Sequence, residues 1–198
     1  MNLSLPEFKC RVGECTYCCT DMPIPVTIGD FYRHWKVRSN GKSDYPFSQV
    51  IKEIVEGFGF KGVANGDPVL IHYIQPPCMN LSEKGLCNKY GIRFISCALY
   101  PEILHPDMGI YSGHFNSHEK PGCLENTTLS ADTKRRIEIA YNRIFEPEIL
   151  LWTRYQDSVN REGFEFFDNP SVIKDLEADP EFQDSMNYYT ILFVEKNL

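Results

Sequence analysis

Four of the chain's eight cysteines fall between Cys10 and Cys19, at positions 10, 15, 18 and 19. Cys15-Thr16-Tyr17-Cys18 is a C-x2-C knuckle, the spacing at which two thiolates from one tight turn can face the same ion or cluster. Cys10 lies close enough in sequence to close that turn from its other side. Cys18 and Cys19 are adjacent, and in extended backbone neighbouring side chains point to opposite faces, so one of the pair is expected to serve a different site or to act as a supporting thiol. The remaining four, Cys78, Cys87, Cys97 and Cys123, come much later. Eight thiols suffice for two four-thiolate sets, for one set plus packing and redox thiols, or for an uneven split.

Two plainer readings compete with metal ligation. An even number of cysteines at irregular spacing also describes a disulfide framework. Against it, Met1 to Glu7 carries neither a basic stretch nor an apolar run of the kind that directs export. A chain of 198 residues can also bury a core without covalent staples, and short bridges inside the 10–19 cluster would violate disulfide geometry. Buried inert thiols are the second reading, because free cysteine packs as a small apolar residue.

Composition narrows the class further. With 42% hydrophobic residues, a net charge of −7 and a pI near 5.3, the chain reads as an ordinary globular protein, and a cytoplasmic location is expected. No apolar run is long enough to span a membrane. An acidic chain whose only basic triplet is Lys134-Arg135-Arg136 is a poor nucleic-acid binder. An unidentified protein or small-molecule substrate is the expected partner.

The elements that must position the thiols can be read in order. Pro23-Ile24-Pro25-Val26 is expected to be extended. Thr27-Ile28-Gly29-Asp30 looks like a capping box, opening a helix with Ile28, Phe31, Tyr32 and Trp35 on one face and the lone His34 elsewhere. Residues 47–58 form a second helical pattern, 59–67 a glycine-rich loop, and 69–74 a β-branched strand leading to Cys78. A turn at Ser82-Glu83-Lys84-Gly85 would bring Cys87 back beside Cys78. A further hairpin is expected between Ile103 and Phe115. From Ser130 onward the pattern is helical, with helices expected near 171–178 and 181–195. The division is a cysteine-cluster domain over 1–125 and a helical extension over 126–198 packed on it as one unit.

Phe8-x-Cys10 with Cys15, Cys18 and Cys19, then Cys78-x-x-Leu81, Cys87-x-x-Tyr90-x-x-Arg93 and Cys97-x-x-Tyr100-Pro101, resembles the CxxCxxCC cysteine-cluster family. That family is a zinc- or iron-chelating domain found also in flagellin lysine N-methylases. The similarity covers residues 8–125. It implies an α+β fold, with a small cysteine-rich metal-binding core of short strands, hairpins and helices and a C-terminal helical extension. It implies too that Cys10, Cys15, Cys18, Cys19, Cys78, Cys87, Cys97 and Cys123 supply the metal ligands, with Tyr90 and Arg93 beside the cofactor. An arginine there would offset thiolate charge and donate to sulfur. The chain departs from the family in spacing its first two cysteines by Arg11 to Glu14, in Phe94 where a proline is usual, in Ala98 where arginine is common, and in Lys120-Pro121-Gly122-Cys123, whose order is changed.

His105, His114 and His118 lie around the expected second hairpin and could add an imidazole to a centre. Two functions follow from the ligand type. One is a protein carrying one or two cysteine-ligated iron–sulfur clusters, most simply 4Fe–4S, with redox or modification chemistry on an unknown substrate. The other is a zinc-binding structural or interaction module using the same cysteines. Neither a GxGxxG nor a GxxxxGK[ST] pattern is present, which speaks against dinucleotide and P-loop chemistry.

Overall fold

The computed structural model describes residues 17–20, 24–40, 45–55, 59–64, 67–74, 76–99, 102–105, 109–112 and 138–194; within these, 17–18, 59–64, 67–73, 90, 98–99, 102–105, 109–112 and 191–194 are described by backbone course alone. The elements are α1 (Tyr17–Thr20), β1 (Ile24–Val26), α2 (Ile28–Ser39), α3 (Phe47–Ile54), β2 (Gly59–Ala64), β3 (Asp67–Ile74), α4 (Ile95–Leu99), β4 (Glu102–His105), β5 (Gly109–Ser112), α5 (Glu146–Glu162), α6 (Pro170–Ala178) and α7 (Pro180–Val194). A π-helical turn, Tyr141–Phe145, leads into α5, and a 3-10 turn, Gly163–Asp168, leaves it.

Local chemistry accounts for the helix boundaries. Thr27 is the N-cap of α2: its hydroxyl accepts from the Asp30 amide at 3.2 Å, and the Asp30 carboxylate accepts from the Thr27 amide at 3.3 Å. Asn40 ends the helix in the left-handed region, at φ 47°, a conformation asparagine tolerates better than most residues. At α3 the cap comes from a distance. Pro46 offers no side-chain bond, and Asp168 instead accepts from the Ser48 amide at 2.9 Å and its hydroxyl at 2.6 Å. Asn169 caps α6 through the Ser171 amide, and Asp179 accepts from the amides of Glu181 and Phe182 at the start of α7.

The core is a run of aromatic rings crossing between helices. Phe31 of α2 meets Trp152 of α5 edge-to-face at 5.8 Å, Trp152 meets Phe167 at 5.6 Å, and Phe167 meets Phe47 of α3 at 5.6 Å. Tyr32 extends the set to Phe182 of α7 at 5.3 Å. Perpendicular rings place the positive edge of one on the negative face of the next and add to the gain from burial. Exposed ion pairs such as Lys36 with Glu177 and Arg154 with Asp179 decorate the surface and stabilise little by comparison.

The expectation of an α+β fold built on a small cysteine-rich core of strands and hairpins is overturned. Of the residues described with their side chains, 74% are helical, and Ile24–Val26 is the one short strand among them. β3 pairs antiparallel with β1 and β2 in the order β1-β3-β2, and β4 pairs with β5. Yet the described core residues from this pairing are only Ile24, Val26 and Ile74. The physical reason is size. Large aromatic side chains at helical spacing on α2, α3 and α5 bury far more surface than short β-branched strands can, so the helices from the C-terminal half supply the core instead of lying on it as an extension. The loop expected at 59–67 is likewise corrected, because Gly59–Ala64 pairs residue for residue with the end of β3 nearest it.

Trp152 is 1% exposed and stands between Phe31 and Phe167. Trp152→Ala is expected to lower stability by about 3–5 kcal/mol, measured as a reduced urea midpoint at unchanged slope.

Candidate functional site

Four of the expected ligands are described with their side chains, Cys19, Cys78, Cys87 and Cys97, and none of them is in a disulfide. Backbone hydrogen bonds bring their segments together. The Cys78 amide donates to the Cys19 carbonyl at 2.5 Å, tying α1 to the segment after β3. From Cys78 the chain turns through Ser82 and Gly85, Leu81 bridges Cys87 antiparallel, and the Asn88 amide donates to the Asn80 carbonyl at 2.8 Å. Cys87 thereby comes back alongside Cys78, as the turn residues lead one to expect. Cys97 arrives from α4, whose first amide, Ile95 N–H, donates to Asp30 at 3.0 Å.

Electrostatics tie the four thiols into one group. Burial pushes the Cys97 thiol well above the ordinary cysteine range, and Cys78, Asp30, Cys19 and Cys87, in that order, push it further. The Cys78 thiol is raised by burial and also by Cys87. Cys97 and Cys78 therefore resist ionising, because both are taken out of water and lie near other thiols. Among the described residues, no three or more His, Cys, Asp or Glu side chains form a group that could hold a metal ion.

The other expected site residues divide plainly. Cys10, Cys15, Cys123, His114 and His118 lie outside the described residues, and Cys18, Tyr90 and His105 are described by backbone alone. Cys18 and Cys19 share the helical turn α1, so the backbone there is not the extended course expected of the pair. Arg93 is partly buried, and its carbonyl accepts from Arg33 at 3.3 Å.

Beside Cys97 lies a buried polar network that sequence reasoning missed. Asp30, Glu148 and Ser185 are 0% exposed, Thr27 and Tyr189 1%. Thr27 Oγ1 and the Tyr189 hydroxyl are 2.6 Å apart. Glu148 accepts from the Gly29 amide and from the Ser185 hydroxyl, which seats its carboxylate at the N-terminus of α2. Gly29 makes this possible, since a Cβ there would overlap the Glu148 carboxylate and the Tyr189 ring. Asp30 faces Arg33 at 3.5 Å, and the Arg33 guanidinium lies 4.6 Å over the Tyr189 ring. Desolvation outweighs these donors for both acids: Asp30 is raised to about 6 and Glu148 to about 7. The one local signal was the Thr27/Asp30 capping box. Nothing in sequence links it to Glu148, 119 residues from Gly29.

No helix among the described residues is long and apolar enough to cross a membrane. Family models, curated proteins and solved structures yield no match to this chain.

Both buried acids have folded pKa values above their unfolded ones. Their stability contribution is complete below about pH 4, where both states are protonated, and is lost as pH rises through about 6 for Asp30 and about 7 for Glu148. Glu148→Gln keeps the shape and removes the ionisation. The stability of this variant relative to the parent should rise by about 3 kcal/mol between pH 4.5 and 7.5, followed by chemical denaturation across that range; a constant difference would show that the fold does not raise the pKa of Glu148.

Proposed function

We propose that this chain is a cysteine-ligated metal protein in which Cys19, Cys78, Cys87 and Cys97 help to hold an iron–sulfur cluster. The observation that carries the reading is that four unbridged thiols are brought near one another, Cys78 by its amide bond to the Cys19 carbonyl and Cys87 by its bridge to Leu81, with Cys78, Cys19 and Cys87 all acting on the buried Cys97. Such a group is poorly matched to empty water-free surroundings and well matched to a thiophilic cation. The order of cysteine motifs, with its resemblance to a zinc- or iron-chelating family, supports the same reading.

Iron–sulfur is preferred over zinc on the cysteine motifs and the family that they resemble. When bound, such a cluster supplies one-electron redox chemistry, and a redox role is the function proposed. The protein's own contributions are distinct. Cys78, 8% exposed, belongs to the apolar core, and Cys19 and Cys97 pack against that core, which keeps water from the sulfurs. Asp30 fixes α4 through the Ile95 amide and so sets where Cys97 stands. Ligation also requires each thiol to lose a proton, so loading should release protons and strengthen as pH rises.

The decisive measurement is iron, acid-labile sulfide and zinc content after anaerobic purification, with visible absorbance before and after dithionite. A brown chain that bleaches and contains both iron and sulfide is the expected result. Cys78→Ser and Cys97→Ser should each reduce retained iron by about tenfold or more. A colourless chain binding stoichiometric zinc would replace this reading with the structural-module alternative, and a chain that binds no metal would end it.

A further inference from the structure

Glu148 holds together three elements that are far apart in sequence. Carried on α5, its carboxylate accepts from the Gly29 amide of α2 and from the Ser185 hydroxyl of α7. The Thr27 hydroxyl adds a hydrogen bond to it and lies 2.6 Å from the hydroxyl of Tyr189, one turn after Ser185 on α7. The fit is close, since a Cβ on Gly29 would overlap both the carboxylate and the Tyr189 ring.

The inner face of α7 is therefore of two kinds. Phe182 belongs to the main core with Phe31, Phe47, Trp152 and Phe167. Ser185 instead meets Glu148, and the Tyr189 ring packs in a second cluster with Ile95, Ala140, Ile144 and Phe145. A small cluster beside a main core can open while the core stays intact, because local opening costs only the contacts it gives up.

The charges at this junction favour a neutral acid. Removal from water, and then the like charge of Asp30 on α2, raise Glu148 from the ordinary 4.5 to about 7, against the hydrogen bonds of Ser185, the Gly29 amide and Thr27. The Arg33 guanidinium lies 3.5 Å from Asp30 and over the Tyr189 ring. On α7, burial keeps the Tyr189 hydroxyl protonated well past the usual tyrosine range, while Asp184 pairs at the surface with Arg143 of the π-helical turn. Opening hydrates Glu148 and returns it to its ordinary value. The closed arrangement is therefore favoured at low pH and loses that advantage as pH rises through about 7.

We propose that Glu148 is a proton-operated latch on α7: with the acid neutral, residues 185–190 stay closed over the N-terminus of α2, and with it ionised they open locally while Phe182 and the aromatic core stay in place. Opening uncovers the Gly29 amide, Ile95 of α4 and the π-helical turn. The latch needs no metal, so it stands or falls apart from the function proposed above.

The test is native-state amide hydrogen exchange of the full-length chain at low urea, between pH 5.5 and 8 and corrected for intrinsic rates, with the amides of α3 as the reference. Expected in the parent are weaker protection at 185–190 than in α3, exchange there that barely responds to low urea, and a fall in protection on the order of tenfold across the pH range. In Glu148→Gln the fall should vanish. In Ser185→Ala, which keeps the acid but removes a donor to its ionised form, the fall should grow. Residues 185–190 that match α3 in both protection and urea response would overturn the latch, because they would then open only with the whole fold. A pH dependence that persists in Glu148→Gln, or that is unchanged in Ser185→Ala, would overturn it too, by assigning the titration to another group.

Discussion

A carboxylate removed from water has to be answered by donors, and Asp30 is the place where this requirement organises the molecule. Its two oxygens reach the amide of its own helix cap, the amide that opens α4 and the Arg33 guanidinium. One side chain thereby starts α2, fixes α4 and sets the position of Cys97. Even so, its pKa is raised to about 6, because the loss of solvation exceeds what these partners return. The compensation lies elsewhere, in the aromatic rings that α2 packs against α3, α5 and α7.

The same helix serves both halves of the structure. One side carries Phe31 and Tyr32 into the aromatic core, while Asp30, His34 and Arg38, each a turn apart, meet the segments around Cys97, Phe94 and Met79. Of these, Asp30 and His34 are fully buried, while Arg38 is partly buried and pairs with Glu53 of α3. The C-terminal helices complete the arrangement. Glu148 of α5 and Ser185 and Tyr189 of α7 close over the N-terminus of α2, so what looked in sequence like an appendage seals the polar end of the helix that positions the thiols.

The thiol group and the polar network differ in kind. Asp30 and Glu148 are satisfied by hydrogen bonds and titrate near neutrality, which makes them structural acids with a pH signature. Cys97 is driven upward by burial and by Cys78, Asp30, Cys19 and Cys87, and Cys78 by burial and by Cys87. A satisfied network explains itself. The Cys78 sulfur, by contrast, is offered only two amides among the described residues, those of Asn80 and Leu81.

Much of the local structure was legible from residue order alone. The capping box at Thr27, the turn between Cys78 and Cys87, and the helices after Pro170 and Pro180 are set by nearest-neighbour chemistry, since caps, turns and periodicity act over a few residues. Only the tertiary structure decided that helices, not strands, build the core, that 59–64 is paired, that Cys18 and Cys19 share a helical turn, and that Glu148 and His34 are buried beside α2. Burial and long-range partnership depend on which distant surfaces meet, and no pattern confined to a few neighbouring residues carries that information.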